Sequence, residues 1–298
     1  MPGSSAPHVS TTSAPPGDPL GDVRSRSTRP HLGRLGAVDE ADRRRHASSF
    51  GGAAVAYSEH RPDYAQVALR WALALAPGRR VLDLGAGTGK LTGTLLAAGL
   101  ETTAVEPDPA MLAELHKTLP SVHAVPGSAE AIPLPDASVD AVVAGNAMHW
   151  FDMAVAGPEI ARVLVPGGIL SGLWNVLDDR VGWVAELARI SGSEAIGPRD
   201  TPDSWRAETA TAHLPPDGVA AWFGSPEQAA FPHGQRRTAE SLVATLATRA
   251  GMLVMPEQDR QERLRRIRGF LTSCEETASG EFDLPMLTCV LRTRRLSR

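Results

Sequence analysis

The ten residues from Val81 to Lys90, VLDLGAGTGK, constrain this chain more than any other stretch. An apolar run broken only by Asp83 leads into Gly85, Gly87 and Gly89, after which Leu91, Leu95 and Leu96 fall at helical spacing. The pattern predicts strand, glycine loop, helix. A parallel α/β sheet binds its ligand at the carboxyl end of such a strand, where glycines admit close backbone approach and the next helix presents free N–H groups. The dinucleotide fingerprint G-x-G-x-x-G is not met, because Lys90 stands where its last glycine falls. The phosphate loop G-x-x-x-x-G-K-[ST] fails as well, because Leu91 follows Lys90.

What remains is an apolar strand with Asp83 two residues ahead of G-x-G-x-G. It resembles the first motif of the class I S-adenosylmethionine (SAM) dependent methyltransferases. The resemblance implies an α/β, Rossmann-like fold: a mostly parallel seven-stranded sheet with helices on both faces, an antiparallel edge hairpin and a mainly helical insertion. It also implies SAM as cofactor, with Asp83, Gly85, Ala86, Gly87 and Gly89 holding its methionine end.

Composition bounds the rest. With 298 residues, 42% hydrophobic and 21% charged, the chain can bury a full core as one domain with an insertion. A net charge of −4 gives no footprint for nucleic acid, and no apolar run approaches membrane-spanning length. Cys274 and Cys289 show neither C-x-x-C nor a His-linked metal spacing, so no metal site is expected and a reducing cytoplasm is. Residues 1–40, crowded with Pro, Gly, Ser and Thr, cannot offset the entropy of ordering and are expected to be a disordered tail. The expected division is then a SAM-binding core over 41–175, a substrate-side insertion or lid over 176–224, and completion of the sheet over 225–298.

Ahead of the glycine loop, Phe50 to Gly78 contains Tyr57, Arg61, Pro62 and Tyr64, then Val67, Trp71 and Leu75 at helical spacing. This resembles the Y-x-x-x-R-P-x-Y segment of a small-molecule branch, type 11 or trans-aconitate-methyltransferase-like, in which it helps cover cofactor and substrate. Substrate-side roles for Tyr57 and Arg61 follow from that resemblance; read alone, they equally suit a lead-in loop with a packing tyrosine and a surface charge. The second strand, Glu101 to Pro107, ends in Glu106, an acid at the distance from the glycines that suits both ribose hydroxyls. Asp108 and Pro109 fit the N-cap and first helical positions, which leaves Glu106 free for that task beside Pro107. Between a third strand (Val122 to Val125) and a fourth (Val139 to Ala144), Gly127-Ser128-Ala129-Glu130 resembles the family's Gly-Asp-Ala-Glu element. The resemblance implies that Ser128 and Ala129 meet the adenine edge, although a hydroxyl accepts less strongly than the usual carboxylate and Ser128 also suits a plain turn.

After strand four the chain reads Gly145-Asn146-Ala147-Met148-His149-Trp150-Phe151-Asp152. The Asn/Asp-Pro-Pro-Tyr/Phe motif of base and glutamine N-methyltransferases is absent, which argues against a nucleic-acid base as substrate. The stretch resembles the H-W-F-D element of the small-molecule branch, implying Asn146 at the cofactor and His149 and Trp150 near the transferred methyl. For a phenol, alcohol or amine His149 is the natural general base; for a carboxylate it would only orient the acceptor. Trp150 fits a pocket wall or the core equally.

Gly157-Pro158 is expected to open a helix and Val165 to Gly168 to end it, before strand five (Ile169 to Asn175) carries Trp174 on the substrate side. Trp183, Leu187 and Ile190 suggest a further helix, followed by a polar stretch with Trp205. Ala229 to Thr238 and Pro285 to Arg295 read as the antiparallel edge, with helices at Leu242, Leu246 and at Leu264, Ile267, Leu271 between them. Arg263, Arg265, Arg266 and Arg268 read as a solvated helix face, and His233 as either a second polar group in the pocket or a structural histidine. Trp150, Trp174, Trp183, Trp205 and Trp222 all follow strand four, which suggests an apolar or aromatic acceptor. The chain thus reads as a SAM-dependent methyltransferase acting on a small organic molecule. The rival readings are a SAM-binding protein without methyl transfer and a nicotinamide-dependent oxidoreductase; oligomeric state is left open.

Overall fold

The computed structural model describes residues 63–197, 200–202, 213–214 and 221–297. Tyr57, Arg61 and Trp205, and the expected tail, lie outside the described residues. Alternating apolar runs and helical segments give α1 (Gln66–Leu73), β1 (Arg80–Leu84), α2 (Lys90–Ala97), β2 (Glu101–Glu106), α3 (Pro109–Thr118), β3 (His123–Pro126) and β4 (Val139–Gly145). One 3-10 turn (Met148–Trp150) then leads to α4 (Met153–Val163), β5 (Leu164–Leu177) and α5 (Gly182–Ser191). The chain ends with β6 (Glu227–Thr238), α6 (Ala239–Ala247), α7 (Ala250–Leu253), α8 (Glu257–Ser273) and β7 (Glu281–Arg294).

The strands form one sheet in the order β3-β2-β1-β4-β5-β7-β6. β1 through β5 pair in parallel, and β7 runs antiparallel to both β5 and β6. Strands covered on both faces read as unbroken apolar runs, and β4 buries all but its last residue. On one face Ala68, Leu69 and Ala72 of α1 and Leu91 and Leu95 of α2 cover Val81, Val143 and Leu173. On the other, Ala156, Ile160 and Val163 of α4 cover Leu82, Val142 and Leu170. The last rung of β4 and β5 pairs Gly145 with Leu173, but β5 continues to Leu177, and β6 and β7 extend further still. There Leu177, Phe282, Leu284 and Met286 support α5, α6 and α8 in a second apolar cluster. The carboxyl edge of the parallel strands is thereby overhung by the antiparallel ones.

Two helices depart from expectation. Asp152 caps α4 by accepting from Ala154 N (3.1 Å), so the helix starts at Met153 and Pro158 lies inside it. The proline forfeits one hydrogen bond to the preceding turn, and the burial of Ala156, Ile160, Ala161 and Val163 holds the helix regardless. In α1 the buried face is Ala68, Leu69 and Ala72, while Val67 and Leu75 stay exposed. The small alanines let the helix approach the sheet until Ser171 Oγ donates to the Ala72 carbonyl (3.0 Å). Trp71 is turned aside under the Arg292 guanidinium (3.8 Å) and against Phe231 (5.9 Å). No helix among the described residues is long and apolar enough to cross a membrane.

Candidate active site

The glycine loop follows β1 with Gly85, Gly87 and Gly89 at φ of +71°, +57° and +88°. A side chain on Gly87 would meet nothing within 4 Å, so this residue faces open space in a backbone conformation that L residues avoid. The N–H groups of Gly85 and Ala86 both donate to the Val105 carbonyl (2.9 and 3.1 Å), which stitches the loop to β2.

Glu106 completes that attachment. Its Oε2 accepts from Gly87 N (2.8 Å) and its Oε1 from Asp108 N (2.9 Å). Asp108 caps α3 as expected, accepting from Ala110 N and Met111 N (2.8 and 2.9 Å). Glu106 is therefore not idle, which corrects the expectation that it is left free; each oxygen nevertheless keeps a second lone pair. Burial raises its pKa, and the Asp108 and Gly87 N–H groups oppose that rise.

Asp83 is fully buried, and its Oδ2 accepts from Thr92 Oγ1 (2.6 Å), tying β1 to α2. Its Oδ1 is buried with no hydrogen-bond partner among the described residues. Burial pushes the carboxyl up to about 7, against the Thr92 hydrogen bond and with a smaller push from Glu106. The turn at Ser128 lies beside β2, with Gly127 N reaching the Glu106 carbonyl (3.4 Å), and Ala129 buries its methyl in the core.

Beyond β4, Asn146 adopts φ +50°, a left-handed conformation that asparagine tolerates better than most residues. Its N–H donates to the Leu173 carbonyl (2.8 Å) and its Oδ1 accepts from Asn175 N (3.3 Å). On the following turn the His149 ring lies 4.7 Å from Trp150 and 6.2 Å from His213, which stacks on Trp174 at 4.9 Å. Trp174 is only 6% exposed, so it backs the His213 ring from the core instead of presenting an open face. Trp183 packs edge-on against Phe282 in the second apolar cluster, and Trp222 lies at the opposite end of the sheet, bonded through its carbonyl to Leu296 N. Of the described tryptophans after β4, Trp150 and Trp174 thus join one ring cluster with His149 and His213, whereas Trp183 and Trp222 lie away from it.

Several site residues escaped the sequence reading. The Tyr64 hydroxyl sits so close over Gly145 that a Cβ there would lie 2.6 Å from it. Glu130 Oε1 accepts from Asp152 N (2.9 Å), joining the Ser128 turn to the His149 loop. Arg162 donates to the Ile132 and Leu134 carbonyls, to Asp136 and to Glu159, all at 2.8–2.9 Å, and so fixes the loop ahead of β4. The quoted Y-x-x-x-R-P-x-Y and Gly-Ser-Ala-Glu elements held the signal for Tyr64 and Glu130; Arg162 gave none beyond being a charge on an apolar helix.

The chain is similar to known proteins. A family model described as a methyltransferase domain, of type 11, matches residues 82–172, from β1 into β5. The uncharacterized methyltransferase Rv3342 of Mycobacterium tuberculosis is 41% identical over 251 residues, covering 84% of this chain and 97% of that protein. The uncharacterized methyltransferase-like protein C25B8.10 of Schizosaccharomyces pombe is 37% identical over 186 residues, 61% of this chain and 68% of its own. Among solved structures, an Anaeromyxobacter dehalogenans protein named for type II methyltransferases superposes with a TM-score of 0.58 at 25% identity, covering 80% of this chain and 99% of that one.

Proposed function

We propose that this chain, which belongs to the class I SAM-dependent methyltransferases of the type 11 branch, transfers a methyl group from SAM to a small organic acceptor held over the carboxyl ends of β4 and β5. SAM supplies an electrophilic methyl together with its own neutral leaving group. The protein's part is therefore alignment more than activation.

The residues fit such a ligand. Gly87 offers open space beside the backbone, Glu106 keeps lone pairs for ribose hydroxyls, and the orphan Oδ1 of Asp83 can receive a donor. In this proposal Gly85, Ala86, Gly87, Gly89 and Asp83 take the methionine end, and Glu106 with Pro107 the ribose. Ser128 and Ala129 take the adenine edge, and Asn146 closes the methyl side. His149 is the proposed catalytic contact, meeting the acceptor with Trp150 at its side; Tyr57 and Arg61 cover it. Residues 41–175 hold the cofactor, 176–224 the acceptor side, and 225–298 complete the sheet.

The observation that carries this reading is the Gly87–Glu106 bond, which sets an acid and an open glycine side by side at the edge of β1 and β2. Calorimetric titration with SAM and S-adenosylhomocysteine, followed by transfer of a labelled methyl to a panel of small acceptors, tests it. Saturable binding with turnover on at least one acceptor, reduced in His149→Ala, is expected. Binding without any turnover would leave a SAM-binding protein and overturn the proposal.

A further inference from the structure

The glycine loop and the His149 turn lie against one another. A Cβ on Gly85 would stand 2.8 Å from the Ala147 Cβ and 3.6 Å from the Phe151 ring, so the loop proposed for the methionine end abuts residues on both sides of His149. Glu130 ties the far end of the turn to Ser128 and Ala129 by accepting from Asp152 N (2.9 Å). His149 thus stands beside two elements proposed to hold the cofactor.

From His149 the rings continue toward β5. His213, from the stretch expected to cover the acceptor, lies 6.2 Å from His149 and stacks on Trp174 at 4.9 Å with 21° between the planes. Two features seat it there. The Trp174 indole lies back over Gly172, where any side chain would collide with it, and so forms a flat floor on the α4 face of the sheet. Leu214, the next residue, packs against the same apolar cluster. Trp174 is buried, whereas His149, Trp150 and His213 are half-buried. His233, by contrast, meets Thr288 Oγ1 (3.2 Å) on the α1 face, where Thr288 also accepts from Ala65 N (3.1 Å), and takes no part in this row of rings.

Packing alone calls for an apolar ring over an indole. A stacked imidazole uses its face on the indole and keeps both nitrogens at its rim, in a plane nearly parallel to the floor. One oxygen or nitrogen atom that hydrogen-bonds two ring nitrogens at about 2.9 Å each holds them at most about 5.8 Å apart. Rings with centroids 6.2 Å apart, inclined at 58°, allow that span without moving.

We propose that His213 is a second acceptor contact, so that one oxygen or nitrogen of the acceptor is held jointly by the rims of His149 and His213 over the floor that Trp174 provides; this rests on the methyl-transfer function proposed above. The acceptor then presents a hydroxyl, amine or carboxylate at this point, whichever of its atoms takes the methyl. The 176–224 stretch contributes a side chain to the site, and recognition of the acceptor is shared between that stretch and the turn after β4.

The test offers the purified full chain a phenol, a primary amine and a carboxylate with labelled SAM, and measures kcat and acceptor KM beside SAM affinity by calorimetry. His213→Phe keeps a ring on Trp174 and removes both nitrogens. On whichever probe the parent methylates, this variant should lower kcat/KM about tenfold, the contribution of roughly one hydrogen bond, with SAM affinity and Tm unchanged. Combined with His149→Asn, its effect should depart from the product of the two separate losses, because both residues hold one atom. A His213→Phe variant with the parental kcat/KM, or losses that simply multiply, would overturn the inference and leave methyl transfer standing. SAM binding with no transfer by the parent to any probe would remove both.

Discussion

The backbone N–H of Gly87 donates to Glu106 Oε2 at 2.8 Å, so the loop that ends β1 is held by the residue that ends β2. A loop with left-handed glycines has many conformations to lose, and this bond, with the two that the Val105 carbonyl accepts, selects one of them. The same carboxylate is the proposed ribose acceptor. Loop shape and ligand affinity are therefore coupled through one side chain.

Glu106→Gln should expose that coupling. An amide presents one oxygen and one NH2, so either Gly87 or Asp108 faces a donor in place of an acceptor, at a penalty of about 1–3 kcal/mol. The expected result is a lower urea midpoint and a SAM affinity reduced at least about tenfold, since each 1.4 kcal/mol is a factor of ten. Calorimetry on the folded variant checks it; unchanged affinity would detach Glu106 from the site.

Asp83 gives the fold a pH dependence of unusual sign. Its carboxyl is raised to about 7 in the fold by burial, against about 3.9 when unfolded. Between those values the folded state binds more protons than the unfolded one, so this group lowers stability as pH rises from about 4 to about 7. The full span is on the order of 4 kcal/mol, and below pH 4 the group contributes no slope. Asp83→Asn keeps an acceptor for Thr92 and cannot ionise. The variant should gain on the parent in Tm between pH 5 and pH 8, and an equal difference at both pH values would contradict the assignment.

The parts of this molecule legible in the sequence are those fixed by neighbours in the chain. Glycine and proline punctuation marked β1, its loop and α2, and apolar runs marked the buried strands, because both signals are local. The two late strands read as an antiparallel edge, but their order, with β7 beside β5 and β6 outermost, is seen only in the structure. What stayed hidden depends on partners far away in the chain: Ala65 and Thr288 are 223 positions apart, and Asn175 and Thr288 113. The occupation of Glu106 by Gly87 is hidden because it depends on how the loop folds back onto β2, as is the choice of buried face on α1, where the Val67–Trp71 stripe competes with Ala68, Leu69 and Ala72.

Gly87→Ala separates ligand approach from fold. The added methyl meets nothing within 4 Å, so its effect on stability is confined to the left-handed φ of +57°, about 1–2 kcal/mol. The methyl does, however, project into the space proposed for the cofactor. SAM affinity is expected to fall by more than the stability loss accounts for, measured by titration well below the Tm of the variant. Equal losses in both would place the ligand elsewhere.

Arg162 is the last test, and it concerns the loop that delivers β4. The guanidinium holds the Ile132 and Leu134 carbonyls, Asp136 and Glu159, and Glu159 in turn accepts from Ile132 N (3.1 Å). The Arg162 guanidinium, with a smaller contribution from the Ile132 N–H, holds the Glu159 carboxyl below its ordinary pKa. Lysine brings one ammonium to four acceptors that a planar fork meets at once, so Arg162→Lys strips donors from the Leu134 carbonyl and from the Ile132 carbonyl, which keeps only Leu134 N. With the outer edge of the guanidinium open to solvent, the expected loss is about 1–3 kcal/mol in urea unfolding with an unchanged m-value. Because the Ser128 turn and the His149 loop are joined through Glu130, loosening the segment after Ala131 should also weaken SAM binding by a few-fold. A lysine variant as stable as the parent would show that the fork geometry is not what holds this loop.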